Sequence, residues 1–142
     1  MKRIYEINFD DGYIDSAGNF EGSCVRVVDY KNKQVLKKLI NPDKIITTSK
    51  GIAIKFDYPL TNSATFIFTR EDGFTRKDFF KAIYEGYDYI YLSEKDPGII
   101  PGTCNRTYSE GQFGIWGHVI KDLFIEGVVK INRNTFELLI GS

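Results

Sequence analysis

The chain has 142 residues, 42% of them hydrophobic and 27% charged, which excludes a disordered or fibrous polymer and predicts one globular domain over residues 1–142. Nineteen Lys and Arg balance nineteen Asp and Glu, so the basic excess of an extended nucleic-acid surface is missing. No stretch reaches the run of about eighteen apolar residues that a membrane span needs, and the N-terminal MKRIYEINFDDGY lacks the apolar centre of a secretory signal.

These features predict an intracellular, cytoplasmic protein with reduced thiols. A chain of this size buries roughly 70% of its unfolded surface, so it needs neither disulfide nor metal to hold a core. Cys24 and Cys104 stand alone, with no spacing that suggests a bridge. Eighteen isoleucines against four alanines indicate AT-rich coding, as in certain bacteria, phages, large DNA viruses and protists.

In chain order, residues 3–9 alternate with Tyr5, Ile7 and Phe9 on one face, a strand with one buried side. Asp10-Asp11-Gly12 turns the chain. Residues 23–30 are valine-rich and predict a second strand, and Lys31-Asn32-Lys33 a turn. Residues 34–40 fit a third strand better than a short helix, and Asn41-Pro42-Asp43 breaks it. Residues 44–48 are β-branched. Ile52, Ile54, Phe56 and Tyr58 alternate cleanly up to Pro59, and residues 64–69 return with Phe66 and Phe68 on one face.

The period then changes. Thr75 is an N-cap, with Asp78 placed to complete a capping box. Phe80, Ile83, Tyr87 and Ile90 follow the three-then-four spacing of one helix face, so a long helix is expected over about 75–93. Asp96-Pro97-Gly98 stops it. Residues 97–114 form a long loop. Ile115, Val119, Ile120, Leu123 and Phe124 predict a short helix over about 115–126. Residues 128–131 and 136–140 form a C-terminal β-hairpin about Asn132-Arg133-Asn134. Strands followed by helices give an α+β class: an antiparallel β-sheet with one long and one short helix.

The chemistry gathers in PGTCNRTYSEGQFGIWGH, residues 101–118. This stretch holds the only His and the only Trp, one of the two Cys, and four of the thirteen Gly. A glycine-rich loop brings backbone close to a ligand, and amides at a helix start attract anions. Arg106 adds a bidentate donor. Tyr108, Phe113 and Trp116 offer stacking faces. With Gly114, Gly117 and His118 they compose a candidate pocket for a small anionic or nucleotide-like ligand, or a docking surface for a protein partner.

The expected function is therefore non-enzymatic binding, without cofactor or metal, and with homo-oligomer formation open. The alternative is a small thiol-dependent hydrolase or transferase. There Cys104 is the nucleophile, His118 its base, and Asp122, one helical turn on, the group that orients the imidazole. No phosphate-binding loop, dinucleotide glycine fingerprint or paired zinc-ligand spacing occurs.

Overall fold

The computed structural model describes residues 6–7, 13–14, 17, 20–21, 25–39, 41–94, 98–99, 107–108 and 111–142. Its strands are β1 (Glu6–Ile7), β2 (Tyr13–Ile14), β3 (Phe20–Glu21), β4 (Val25–Arg26), β5 (Ile45–Thr47), β6 (Gly51–Phe56), β7 (Ala64–Thr69), β8 (Phe74–Thr75), β9 (Gly98–Ile99), β10 (Thr107–Tyr108), β11 (Phe124–Asn132) and β12 (Thr135–Gly141). The helices are α1 (Lys33–Lys37) and α2 (Arg76–Ser93), with 3₁₀ turns at Val27–Lys31 and Ile120–Asp122. The fold is α+β.

The main sheet runs β1-β11-β12-β6-β7, and β4 also pairs with β11. Three small two-stranded pairs, β2 with β3, β5 with β8 and β9 with β10, lie outside it. The junction of β12 with β6 is parallel, with Phe136 opposite Ile54, whereas the hairpins on either side of it are antiparallel. The sheet is thus mixed rather than wholly antiparallel. Alternation sets which face of a strand is buried but not which strand becomes its neighbour.

Helix α2 starts as its sequence requires. Thr75 Oγ1 accepts the Asp78 N–H at 3.2 Å, and the Asp78 carboxylate accepts the Thr75 N–H at 3.0 Å. Arg70 also pairs with Asp78 at 3.0 Å. The helix buries Phe79, Phe80, Ile83, Tyr87 and Ile90 against Ile52, Ile54 and Phe56 of β6 and Phe136 of β12. Phe79 meets Phe136 edge-on at 4.9 Å, and Tyr87 meets Phe56 edge-on at 5.0 Å. Such pairs add about 0.5–1.5 kcal/mol to the area they bury. Gly86 is required here, because a Cβ at that position would overlap the Phe56 ring.

Three expectations are corrected. Residues 115–126 do not form a helix. Gly114 and Gly117 have φ of +64° and +82°, Ile115 bridges to Leu60, only Ile120–Asp122 winds into a 3₁₀ turn, and β11 begins at Phe124. Left-handed glycines interrupt an α-helix, and the β-branched run beyond is drawn into pairing with β12. Where a strand was expected over 34–40, the described residues Lys33–Lys37 form α1, which Asn32 Oδ1 caps through the Gln34 and Val35 amides. Among the described residues of the valine-rich stretch 23–30, Val25–Arg26 form β4 and the 3₁₀ turn follows at Val27.

Candidate functional site

Two loop segments meet beyond the ends of β6 and α2. Residues 58–62 lie antiparallel to residues 112–116. The Trp116 N–H donates to the Pro59 carbonyl at 3.0 Å, the Thr61 N–H to Gly114 at 2.8 Å, and the Asn62 N–H to Phe113 at 3.0 Å. The Asn62 side-chain amide adds a bond to the Gln112 carbonyl. The Tyr58–Pro59 peptide bond is cis. Beneath this frame, the buried Tyr87 hydroxyl donates to the Tyr58 carbonyl at 2.6 Å and the Tyr91 hydroxyl to the His118 carbonyl at 2.9 Å. Both phenols are held protonated well above the ordinary tyrosine value, chiefly by burial. For Tyr91 the neighbouring Asp122 adds to the effect.

The frame opens into a cleft of about 430 Å³ lined by Asp57, Tyr58, Pro59, Leu60, Thr61, Trp116 and His118. Trp116 is 50% exposed and Tyr58 42%, so the cleft presents two wet aromatic faces. A second cleft of about 450 Å³ adjoins it, lined by Arg26, Gly117, His118, Lys121, Asp122, Phe124 and Ser142. There the Arg26 guanidinium lies over the Phe124 ring at 5.0 Å, a cation–π contact that leaves the exposed Arg26 at the rim.

His118 stands in both linings. Its ring lies 5.7 Å from that of Tyr58. Its Nε2 is 3.2 Å from Ser142 Oγ, which is 2.7 Å from the Tyr58 hydroxyl. Its Nδ1 is 3.6 Å from Asp122 Oδ2, beyond ordinary hydrogen-bond distance. The same oxygen accepts the Val119 N–H at 3.1 Å. Tyr58, Ser142, His118 and Asp122 thus form a polar chain along the wall between the clefts.

Among the residues expected to form a site, Trp116, Gly117, His118 and Asp122 come together. His118 and Asp122 were expected to meet on a helix; His118 instead precedes the 3₁₀ turn Ile120–Asp122, and its ring comes within 3.6 Å of the Asp122 carboxylate at the end of that turn. Phe113 is 3% exposed and packs its ring against Phe66 and Tyr89. Gly114 is buried at a positive φ. Neither lines either cleft. Cys104, Arg106 and the Tyr108 side chain lie outside the described residues.

Sequence reasoning missed Arg26, Asp57, Tyr58, Pro59, Thr61, Lys121 and Ser142. A Pro after an aromatic residue at a strand end was the only local sign of the first cleft. No group of three or more His, Cys, Asp or Glu side chains converges among the described residues, and no described helix is long and apolar enough to cross a membrane.

These features define a mixed-sheet α+β fold with a bipartite cleft, its first part lined by Tyr58 and Trp116 and its second by Arg26, Lys121 and Asp122. Compared with protein-family models, curated proteins and solved structures, the chain matches none.

Proposed function

We propose that this chain binds a small ligand in which a flat ring is joined to an anionic group, a nucleotide-like molecule, without transforming it. The observation that carries the reading is the position of His118, shared by the aromatic cleft of Tyr58 and Trp116 and the cleft where the cations of Arg26 and Lys121 outnumber the one carboxylate, Asp122. A ring stacked on an exposed aromatic side chain gains about 1–3 kcal/mol. An anionic group beside Arg26 and Lys121 gains charge-assisted hydrogen bonds. The imidazole between them would donate to the linking atoms.

Trp116 is the only tryptophan, and its exposure makes its fluorescence a direct reporter. Adenosine monophosphate, adenosine and inorganic phosphate are the three probes. The expected result is saturable quenching by the monophosphate, at lower concentration than by adenosine, with phosphate alone competing. Calorimetric titration should lose the adenosine part in Trp116→Ala and the phosphate part in Arg26→Ala/Lys121→Ala. Absence of saturable binding by all three probes would overturn the proposal.

The alternative, a thiol-dependent hydrolase or transferase, is supported by the His118–Asp122 proximity of 3.6 Å. It requires Cys104 to be alkylated rapidly at neutral pH, as a low-pKa thiolate is. Slow alkylation, at the rate of an ordinary thiol, would remove it.

A further inference from the structure

The outer edge of β7 is built to pair. Among the described residues no strand lies beyond β7 in the sheet. The direction of its backbone groups follows from two hydrogen bonds. The Ala53 N–H donates to Asn134, away from β7, so its neighbours Ile52 and Ile54 turn toward β7 and meet Phe68 and Phe66. The Arg70 N–H donates to Lys50 on β6, which fixes the same parity. In an antiparallel ladder alternate residues point to opposite sides. Thr65, Ile67 and Thr69 therefore aim their N–H and C=O groups outward, along the open edge.

Within Ala64–Thr69 that edge carries no charge, proline or bulge. Its register with β6 runs from Gly51–Thr69 to Phe56–Ala64. Natural edge strands avoid association by charge, proline or bulge. The outward side chains Thr65, Ile67 and Thr69 are exposed, Ile67 at 69%.

The edge is also complementary to itself. When two copies are laid antiparallel about a two-fold axis at Ile67, each Ile67 faces the other, and Thr65 faces Thr69 of the second copy. Phe66 then faces Phe68 of the second copy on the α2 side. All three outward residues fall at hydrogen-bonded positions, where each pair exchanges two N–H···O bonds. Threonine pairs, aliphatic pairs and aromatic pairs are each favourable across strands. No like charges are opposed: Arg70 falls opposite Ala64, and Glu71 opposite Ser63. The same patch meets itself, which is the requirement of a two-fold interface.

We infer that the chain associates with a second copy of itself through the β7 edges, antiparallel and centred on Ile67, to make one sheet continuous across both copies. Sedimentation velocity of the full chain over a concentration series tests this. The wild type should show a reversible monomer–dimer equilibrium. Thr65→Glu/Thr69→Glu places like charges opposite each other and should weaken the dimer by about tenfold or more. Thr65→Lys/Thr69→Glu places opposite charges there and should retain the dimer. Ile67→Lys, with both threonines kept, is the second disrupting variant and should sediment as a monomer. Far-ultraviolet circular dichroism of each variant should match the wild type, since all three positions face solvent. A wild type that stays monomeric throughout would overturn the inference. So would a folded Glu/Glu variant or a folded Ile67→Lys that dimerises like the wild type, or a folded Lys/Glu variant that does not dimerise.

Discussion

Glu94, at the end of α2, holds the backbone of Gly114: the Gly114 N–H donates to Glu94 Oε1 at 2.8 Å, and the Phe113 N–H reaches the same oxygen at 3.3 Å. The carboxylate is 7% exposed, and Gly111 packs so closely on it that a Cβ there would overlap Oε2. This contact ties the segment leading to Trp116 to the helix, and through the Thr61 bond to Gly114 it also positions the opposite wall of the cleft.

Removing that carboxylate should therefore loosen the site as well as the fold. Glu94→Ala leaves two buried amides without their acceptor and is expected to cost about 2–3 kcal/mol. Urea denaturation measures the loss. Quenching of Trp116 by iodide should rise even in dilute denaturant, where the rest of the protein stays folded. Glu94→Gln, which keeps one acceptor oxygen, should cost less. Equal losses in the two variants would show that the amides are not what the carboxylate serves.

Gly86 gives a test of the packing between helix and sheet. On propensity alone, Gly86→Ala should stabilise α2 by about 1 kcal/mol. Phe56 is fully buried beneath it, however, and its ring occupies the space a Cβ would need. Overpacking of a tight core costs about 1–3 kcal/mol, so the net change should be destabilising. Gly86→Ala combined with Phe56→Leu should recover part of the loss in a double-mutant cycle.

Alkaline pH should destabilise the protein through its buried Tyr87 and half-buried Tyr91 phenols. Tyr87 and Tyr91 are both raised from 10.0, first by burial and then by neighbouring groups: Tyr91, Asp57 and Tyr58 for Tyr87, and Asp122 and Tyr58 for Tyr91. The folded state thus keeps protons that the unfolded chain releases at about pH 10. A raised folded value means that this stabilisation is complete below about pH 10 and is lost as the pH rises beyond it. Urea midpoints should fall steadily over that range. The fall should flatten in Tyr87→Phe/Tyr91→Phe, at the expense of two hydrogen bonds. A midpoint unchanged above pH 10 would refute the assignment.

The parts of the fold legible in the sequence are those set by local rules. Thr75 and Asp78 announced α2, and Phe80, Ile83, Tyr87 and Ile90 its buried face. Ile52, Ile54 and Phe56 marked β6. The C-terminal hairpin followed from Asn132-Arg133-Asn134 between two apolar runs. Residues 115–126 misled because five apolar residues at helical spacing were read without weighing Gly117, whose positive φ breaks the rhythm. Residues 34–40 misled because their mixed pattern suited either element, and the cap from Asn32 decided between them.

The candidate site was only half legible. Trp116 and His118 drew notice as rare residue types in a glycine-rich loop. Their neighbours in space, Tyr58 and Arg26, sit 58 and 92 residues before Trp116 and His118 respectively, and nothing in their local sequence joins them to that loop. Glu94 carried no local sign in the sequence that its carboxylate would accept the Phe113 and Gly114 amides.

By itself the sequence determined the α+β class, the cap and inner face of α2, and the buried faces of β6 and β7. Each of these depends on residues within a few positions of one another, where periodicity and capping act directly. Only the tertiary structure decided the parallel junction of β12 with β6, the meeting of Tyr58 with His118, and the exposure of the β7 edge. These depend on which distant segments become neighbours, a choice made by the cooperative burial of one core rather than by any single stretch of chain.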